Sequence, residues 1–274
     1  MVSRHERWAT YAILLVVSFL AVYPLVSIGL LAFNEPGTPV VGLQIPSPFT
    51  LDAFAQAWSV GHFDQALVSS AIVAVPVVVV SVTLSILTGY AFGTMKFAGS
   101  GVLLYVILLG ILFPYEALII PLYYDLRQVG LTDTYAALIL PQIGFAVSLG
   151  TLWMRGFFAE TPRALIESAR IDGAGTWSTL WSILVPLARP SILTLAVLVF
   201  MNTWNEFLLA LVLIQSDSMR TAPVTLALFT GGQHTNDPVL IAAAAVIVAA
   251  PVVIVYAILQ RQFLRGLLEG AVVG

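Results

Sequence analysis

Two glutamates lie in stretches of the chain that are otherwise strongly apolar. Glu116 belongs to residues 102–125 and Glu206 to residues 191–214, where Asn202 and Asn205 precede it by four residues and by one residue. A helix would place Asn202 and Glu206 on the same face. Carboxylates and amides can hydrogen-bond the hydroxyl groups of a polar solute, and carboxylates can also relay protons. Because charged groups inside a membrane face a cavity or a partner, these four residues either line a pathway or hydrogen-bond to another helix.

Side chains that carry out covalent or metal chemistry are missing or scattered. The chain has no cysteine, which excludes disulfides, thiolate catalysis and Cys-ligated metal sites. The three histidines, His5, His62 and His234, are far apart and have no metal-ligand spacing. The one lysine, Lys96, is followed by Phe97, so the GxxxxGK[ST] pattern of an ATP-binding loop cannot occur. We expect no catalytic residue, no metal site and no cofactor bound by this chain.

A third set of polar residues lies in residues 156–190, between two apolar stretches. Thr161 followed by Pro162 is typical of a helix start, with Thr161 as the N-cap. Gly173 is typical of a helix end. We therefore expect a short helix over 162–172.

The predicted helix is amphipathic. Glu167 follows Arg163 by four residues and precedes Arg170 by three, and both spacings allow ion pairs. A short amphipathic helix either lies in the membrane interface or docks into a groove of a soluble partner. Its apolar face consists of Leu165, Ile166 and Ala169.

The elements that position these residues are suited to a membrane. Of the 274 residues, 59% are hydrophobic and 9% are charged, with a mean hydropathy of +0.99, whereas soluble domains carry about 25% charged residues. This composition excludes a water-soluble globule, a disordered chain and a nucleic-acid binder. The two stretches with glutamates and four charge-free stretches are each long enough for a helix to cross a bilayer. The charge-free stretches are residues 8–33, 66–95, 134–154 and 238–260.

We expect an all-α membrane protein with six transmembrane helices, because the apolar stretches lack the alternation of barrel strands. Nine of the 11 Lys and Arg residues then fall on the side that holds both termini, and only Arg127 and Arg220 fall on the other. The positive-inside rule makes both termini cytoplasmic. We divide the chain into a first helix with its extracytoplasmic loop, a five-helix core that includes the cytoplasmic loop 156–190, and a cytoplasmic tail. These parts are residues 1–65, 66–260 and 261–274.

The cytoplasmic loop contains a spaced motif. Glu167-Ser168-Ala169 is followed after three residues by Gly173, and after nine more by Ile-Leu-Val-Pro at residues 183–186. This motif resembles the EAA signature of ATP-binding-cassette (ABC) importer permeases, which reads Glu-Ala-Ala, three residues, Gly, nine residues, Ile-x-Leu-Pro. Ser168 and Val185 depart from it conservatively.

Two more segments extend the resemblance. Residues 201–208, MNTWNEFL, resemble the Trp-Asn-Glu-Phe segment of carbohydrate-importer permeases. The tail 262–274, QFLRGLLEGAVVG, resembles the glycine-rich terminus of the maltose-permease second-subunit type. The resemblance implies the type I ABC importer permease fold and the import of a carbohydrate by alternating access; a non-sugar solute is the alternative within the family.

The resemblance also implies a role for the cytoplasmic loop. In the family, the EAA helix is a coupling helix that sits in a cleft of a cytoplasmic ATPase, where its glutamate pairs with basic residues. Gly270 and Gly274 correspond to a tail that enters the ATPase dimer interface, the alternative being a frayed end. The coupling residues implied are Glu167, Ser168, Ala169, Asp172, Gly173, Ile183 and Pro186.

Several partners follow from the resemblance. They are a second permease subunit, two ABC ATPase subunits that hold ATP and magnesium, an extracytoplasmic solute-binding protein and a carbohydrate, with the chain in the lipid bilayer of a bacterial plasma membrane. The chain itself would not be an enzyme. Glu116, Asn202, Asn205 and Glu206 would line the substrate pathway or hydrogen-bond to the second permease.

One hypothesis from a different class stays open. Glu116 and Glu206 could form the proton relay of a stand-alone ion-coupled transporter. Uptake by this chain alone, abolished by an uncoupler, would favour that hypothesis. A membrane-embedded enzyme is disfavoured because no catalytic cluster is present.

Overall fold

A computed structural model describes residues 4–39, 42–43, 45–230 and 236–271, with side chains described except at residue 5 and beyond residue 261. Every regular element within these ranges is helical, which confirms the predicted all-α class. The elements are α1 (Arg4–Leu31), α2 (Asp52–Gly61), α3 (Phe63–Thr94), α4 (Ser100–Leu112), α5 (Tyr115–Gln128), α6 (Tyr135–Glu160), α7 (Arg163–Ile171), α8 (Thr176–Ser178), a π-helical turn (Thr179–Leu184), α9 (Val185–Leu187), α10 (Arg189–Trp204), α11 (Leu208–Leu213), a 3-10 turn (Asp217–Met219), α12 (Ala222–Leu228) and α13 (Pro238–Ala271).

Four helices are long and apolar enough to cross a membrane by themselves. They are α1, α3, α6 and α13, which cover the four charge-free stretches of the sequence except for one or two residues at the ends of three of them. Two further pairs of helices pass the same test only together, because each pair is bent at a short break. Within the described residues, the chain therefore has four spans, or as many as six if each bent pair is one span.

The stretch that contains Glu116 is not one continuous helix. Helices α4 and α5 meet at 98°, and the break consists of Phe113 and Pro114, both with extended backbone angles. Proline has no amide hydrogen and disfavours helical angles in the residue before it, so a helix cannot run through this position undisturbed. Glu116 consequently lies in the first turn of a new helix rather than in the middle of a span.

The stretch that contains Glu206 is also interrupted. Helix α10 ends at Trp204, and three residues separate it from the start of α11. A bend of 78° lies just before this stretch, where residues 176–187 meet α10. The Asn202 Nδ2 donates to the Leu198 oxygen (2.9 Å), and the Asn205 Nδ2 donates to the Met201 oxygen (2.8 Å). Polar side chains that bond to backbone in this way favour helix ends. The single helix expected over 191–214 is therefore wrong.

The chain forms two compact units. The first comprises residues 1–64 with 225–250, and the second comprises residues 65–224 with 251–274. In the first unit, the Phe33 ring stacks on Phe49 with centroids 4.3 Å apart, and Phe63 packs edge-on against Phe229. The Gly37 amide donates to the Asp237 Oδ2 (2.5 Å), which ties the segment after α1 to the start of α13.

Close helix packing defines the second unit. Gly89 and Gly93 on α3 face Met154 and Phe158 on α6, and a Cβ added to Gly89 would lie 2.5 Å from the Met154 Cβ. Glycines spaced by four residues allow two helix backbones to approach closely inside a membrane. The Thr88 and Thr151 hydroxyls hydrogen-bond across the same contact at 2.7 Å. This α3–α6 pair is part of the frame that carries the cavity described below.

Candidate functional site

A cavity of about 640 Å³ lies within the second unit, at the break between α4 and α5 and the break between α10 and α11. This volume falls within the range of about 300–1,000 Å³ that is typical of small-molecule sites. The apolar part of the wall includes Phe113, Phe145 and Leu149. The polar part consists of Tyr115, Gln142, Asn202, Thr203, Asn205 and Glu206.

Glu206 is held in place by one hydrogen bond and lies near a second polar group. Its Oε1 accepts a hydrogen bond from the Leu209 amide (2.8 Å), in the first turn of α11. The Tyr115 hydroxyl, at the start of α5, is close enough to the same carboxylate to interact with it electrostatically. A carboxylate at a helix N-terminus satisfies an amide that has no partner within the helix. Glu206 therefore lies between the two breaks in the helices and presents its carboxylate to the cavity.

The two asparagines contribute amide groups to the same wall. Both side chains are exposed, and each uses its Nδ2 to bond to a carbonyl one turn earlier in α10. Because an amide oxygen accepts two hydrogen bonds, Asn202 and Asn205 can each accept from a hydroxyl group in the cavity.

Glu116 is not part of the cavity lining. Its side chain is exposed in the first turn of α5, and it is not among the described residues that line the cavity, although it is close enough to Tyr115 to interact with it electrostatically. The structure thus places Asn202, Asn205 and Glu206, three of the four predicted pathway residues, in one cavity wall and the fourth beside it.

Three polar cavity residues, Tyr115, Gln142 and Thr203, were not anticipated from the sequence. Tyr115 packs edge-on against Phe145, with ring centroids 5.8 Å apart, and lies near Glu206. Gln142 donates from Nε2 to the Leu138 oxygen at 3.1 Å. The only signal for Gln142 was its polarity within the charge-free stretch 134–154, and Tyr115 gave none because its role depends on the bend at Pro114.

The cytoplasmic-loop helix α7 runs over Arg163–Ile171, within one residue of the prediction at each end. Gly173 has a φ of +84°, its amide donates to the Arg170 oxygen (3.0 Å), and the Ala174 amide donates to the Ala169 oxygen (2.9 Å). These paired bonds form a Schellman motif, which needs a left-handed residue and so favours glycine. The predicted helix end at Gly173 is confirmed.

The predicted N-cap of α7 is wrong. Thr161 ends α6 instead, and its hydroxyl donates to the Phe157 oxygen (3.2 Å). Pro162 occupies the N-cap position of α7, without a side-chain hydrogen bond. The two helices are thus joined by a very short connection.

The predicted coupling residues fall into an exposed and a buried set. Ala169 is only 4% exposed and faces inward, while the side chains of Glu167, Ser168 and Asp172 are exposed. Among the described residues, the one ion pair within 4.0 Å joins Arg220 to Asp217, so Glu167 is not paired with a neighbour on α7. Ile183 is partly buried and Pro186 is exposed.

Helix α7 packs against a π-helical turn at Thr179–Leu184. The Val185 amide bonds to the Leu180 oxygen, five residues back, which is the π-helical pattern. Trp177 and Trp181 lie on the exposed side of this region. π-helical turns are rare and are frequently found at functional sites.

The tail is described only in part. Gly270 lies in the backbone of α13. Gly274, like His234, lies outside the described residues.

A carboxylate in the loop between α5 and α6 fixes a second loop. The Asp133 carboxylate accepts hydrogen bonds from the Ser216 hydroxyl, the Ser216 amide and the Gln215 amide, and the Asp133 amide donates to the Leu213 oxygen (2.9 Å). The bonds from Ser216 and Gln215 hold the pKa of the Asp133 carboxyl below its usual range. This connection, the Asp133 clamp, ties the start of α6 to the end of α11.

Most of the chain is similar in sequence to known transport proteins. Residues 68–269 match the family model of the binding-protein-dependent transport system inner membrane component. The chain is 37% identical to the trehalose transport system permease protein SugB of Mycobacterium tuberculosis, over 98% of this chain and 99% of that protein. It is 32% identical to the arabinooligosaccharides transport system permease protein AraQ of Halalkalibacterium halodurans, over 94% of this chain and 93% of that one.

A solved structure has the same fold. The crystal structure of a bacterial ABC transporter involved in the import of the acidic polysaccharide alginate superposes with a TM-score of 0.79, covering 96% of this chain and 99% of that chain at 23% identity. With the family match and the identity over nearly the whole length, these similarities show that the chain belongs to the family of binding-protein-dependent transport system inner membrane components, which are ABC importer permeases, and that its relatives are sugar permeases.

Proposed function

We propose that this chain is the transmembrane permease subunit of an ATP-driven, binding-protein-dependent sugar importer. The observation that carries the proposal is the identity of 37% to a trehalose permease over 98% of the chain. The cavity agrees with it, because the carboxylate and amide groups of Glu206, Asn202 and Asn205 can hydrogen-bond sugar hydroxyls while the Phe145 ring offers an apolar surface.

The proposed arrangement in the membrane has six spans, with each bent pair counted as one, and both termini in the cytoplasm of a bacterium. The excess of Lys and Arg on one side supports this orientation. Residues 156–190 then lie in the cytoplasm, and the Asp133 clamp lies on the opposite side.

The proposed energy source is a pair of partner ATPases, which hold ATP and magnesium. We assign α7 as the coupling helix, because its glutamate is exposed and its end is fixed by the Gly173 motif. A helix with a fixed end transmits a rotation better than a flexible loop does. A second permease and an extracytoplasmic solute-binding protein complete the proposed importer.

The experiment measures ATP-dependent sugar uptake by the assembled importer in vesicles. Glu167→Lys should reduce uptake and the attachment of the ATPases strongly, while Glu160→Lys, an equally exposed charge reversal at the end of α6, should leave both near wild type. Normal uptake with Glu167→Lys would contradict the coupling role. Unaided solute uptake by this chain alone would contradict the importer as a whole.

The ion-coupled transporter is the weaker hypothesis. A proton relay through Glu116 and Glu206 requires the two carboxylates to share a path, yet Glu116 is exposed and is not among the described residues that line the cavity. Uptake that collapses with an uncoupler, at constant ATP, would restore this hypothesis.

A further inference from the structure

The cavity has an unbalanced charge. Glu206 is its one ionisable carboxyl group, and the described residues of its lining include no Lys, Arg or His. The remaining polar groups, on Tyr115, Gln142, Thr203 and the two asparagines, are neutral donors and acceptors.

The neutral surroundings of the Glu206 carboxylate suit hydrogen bonds from hydroxyl groups more than the binding of a cation. Its observed donor is the Leu209 amide, and the nearby Tyr115 hydroxyl is also neutral. A carboxylate has about four lone-pair sites, so further hydroxyl donors can bind beside the amide. An anionic solute at the same place would meet the Glu206 charge without a compensating cation from this chain.

We propose that this cavity selects uncharged, hydroxyl-rich sugars and rejects sugars that carry a carboxylate, with Glu206 as the selecting residue and Tyr115 as the residue that positions it. This inference rests on the proposed function and narrows its substrate class. In a partly open cavity, where the effective dielectric constant is below that of water, two like charges about 5 Å apart repel strongly enough to weaken binding by about tenfold or more.

The test compares sugars that differ by one group. The probes are trehalose, maltose and cellobiose, each beside its counterpart in which one C6 hydroxymethyl group is oxidised to a carboxylate. Equilibrium binding is measured on the purified importer without its solute-binding protein, so that the selectivity of that protein does not enter the result.

We expect at least one neutral disaccharide to bind about tenfold or more tightly than its uronate. Glu206→Gln should reduce that ratio to about threefold or less, mainly by tightening uronate binding. Glu116→Gln removes a carboxylate outside the cavity and should leave the ratio unchanged. Tyr115→Phe keeps the Glu206 charge and the ring contact with Phe145, so it should weaken neutral-sugar binding while the preference for the neutral sugar persists.

Three results would overturn the inference. They are equal or tighter binding of the uronates to the wild type, an unchanged ratio in Glu206→Gln protein that elutes as an intact complex, and no binding of any neutral disaccharide. ATP-dependent sugar uptake by the same preparation separates the two proposals, because uptake that persists would leave the proposed function intact.

Discussion

Glu206 has a structural task as well as a proposed transport task. It accepts a hydrogen bond from the first turn of α11 and lies near the Tyr115 hydroxyl of α5, so its removal affects the surroundings of two elements. The structural and the transport effects of a substitution at Glu206 can therefore be separated by comparing a replacement that still accepts the Leu209 hydrogen bond with one that does not.

We predict that Glu206→Gln lowers sugar uptake but leaves the unfolding midpoint in detergent nearly unchanged, because the amide oxygen can still accept from the Leu209 amide. Glu206→Ala should also lower the free energy of unfolding by about 1 kcal/mol, the usual cost of losing a helix cap. Thermal unfolding and uptake of both variants check this. Equal midpoints for the two variants would show that the cap contributes nothing.

The Asp133 clamp predicts a dependence on pH. The carboxyl pKa is lowered in the folded state, so the stabilisation is present above the unfolded value near 4 and is lost as the pH falls through the lower, folded pKa. A cysteine at Ile214, which is buried beside the clamp, should react slowly with a thiol reagent at pH 6 and faster as the pH falls toward the folded pKa, after correction for the intrinsic rate of the thiol.

Asp133→Asn removes the charge that strengthens the clamp. The labelling of the same cysteine should then be fast at every pH, whereas Asp125→Asn, an exposed carboxyl on α5, should preserve the wild-type profile. A profile that is unaltered by Asp133→Asn would mean that the clamp does not control this loop.

At the scale of the element, the end of α7 depends on one left-handed residue. Gly173→Ala should destabilise the Schellman turn by about 1 kcal/mol, because an L side chain is strained at a φ of +84°. The fraction of ATP turnover that is coupled to uptake should fall. Gly175→Ala is the matched control, since Gly175 has a φ of −72°, and a fall of the same size there would contradict the explanation.

Helix packing gives a second prediction at this scale. Gly89→Ala should lower the free energy of unfolding by about 1–3 kcal/mol, because its methyl group would overlap the Met154 side chain and backbone. Gly156→Ala places a methyl on α6 where no atom lies within 4 Å, and it should be neutral or stabilising. Unfolding midpoints in detergent, read against the yield of intact complex, distinguish the two.

The elements show which parts of the fold could be predicted from the sequence. Long charge-free stretches predicted α1, α3, α6 and α13, because a span needs about 20 apolar residues whatever surrounds it. The interruption at Asn205 was missed, since hydropathy does not register whether a backbone is continuous. It is accompanied by local bonds, such as that from Asn205 to Met201, which act over single turns.

The same distinction applies to the candidate site. Spacing along a helix grouped Asn202 with Glu206, and the two do line one cavity, although α10 ends before Glu206 is reached. Tyr115 could not be predicted because its proximity to Glu206 spans about 90 residues of chain. Glu116 was grouped with them as a second charge within an apolar stretch, but it is exposed in the first turn of α5 and does not belong to the cavity lining.

At the scale of the whole molecule, the absence of cysteine makes the proposed topology directly testable. Single cysteines at Ser168 and Ser218, both exposed, can be introduced without competing thiols. In intact cells, an impermeant maleimide should label Ser218→Cys alone, and Ser168→Cys should react only after permeabilisation. The reverse pattern would invert the arrangement and remove α7 from the reach of any cytoplasmic ATPase.

The π-helical turn at Thr179–Leu184 has a consequence for evolution and engineering. It accommodates one residue more than an α-helical turn would, so deleting a single residue there could regularise the backbone instead of breaking it. Everything downstream would then keep both its helical form and nearly its present orientation, because the wider turn already takes up the surplus residue. The segment between α7 and α10 thus contains a point at which the chain length can change by one residue without rotating α10.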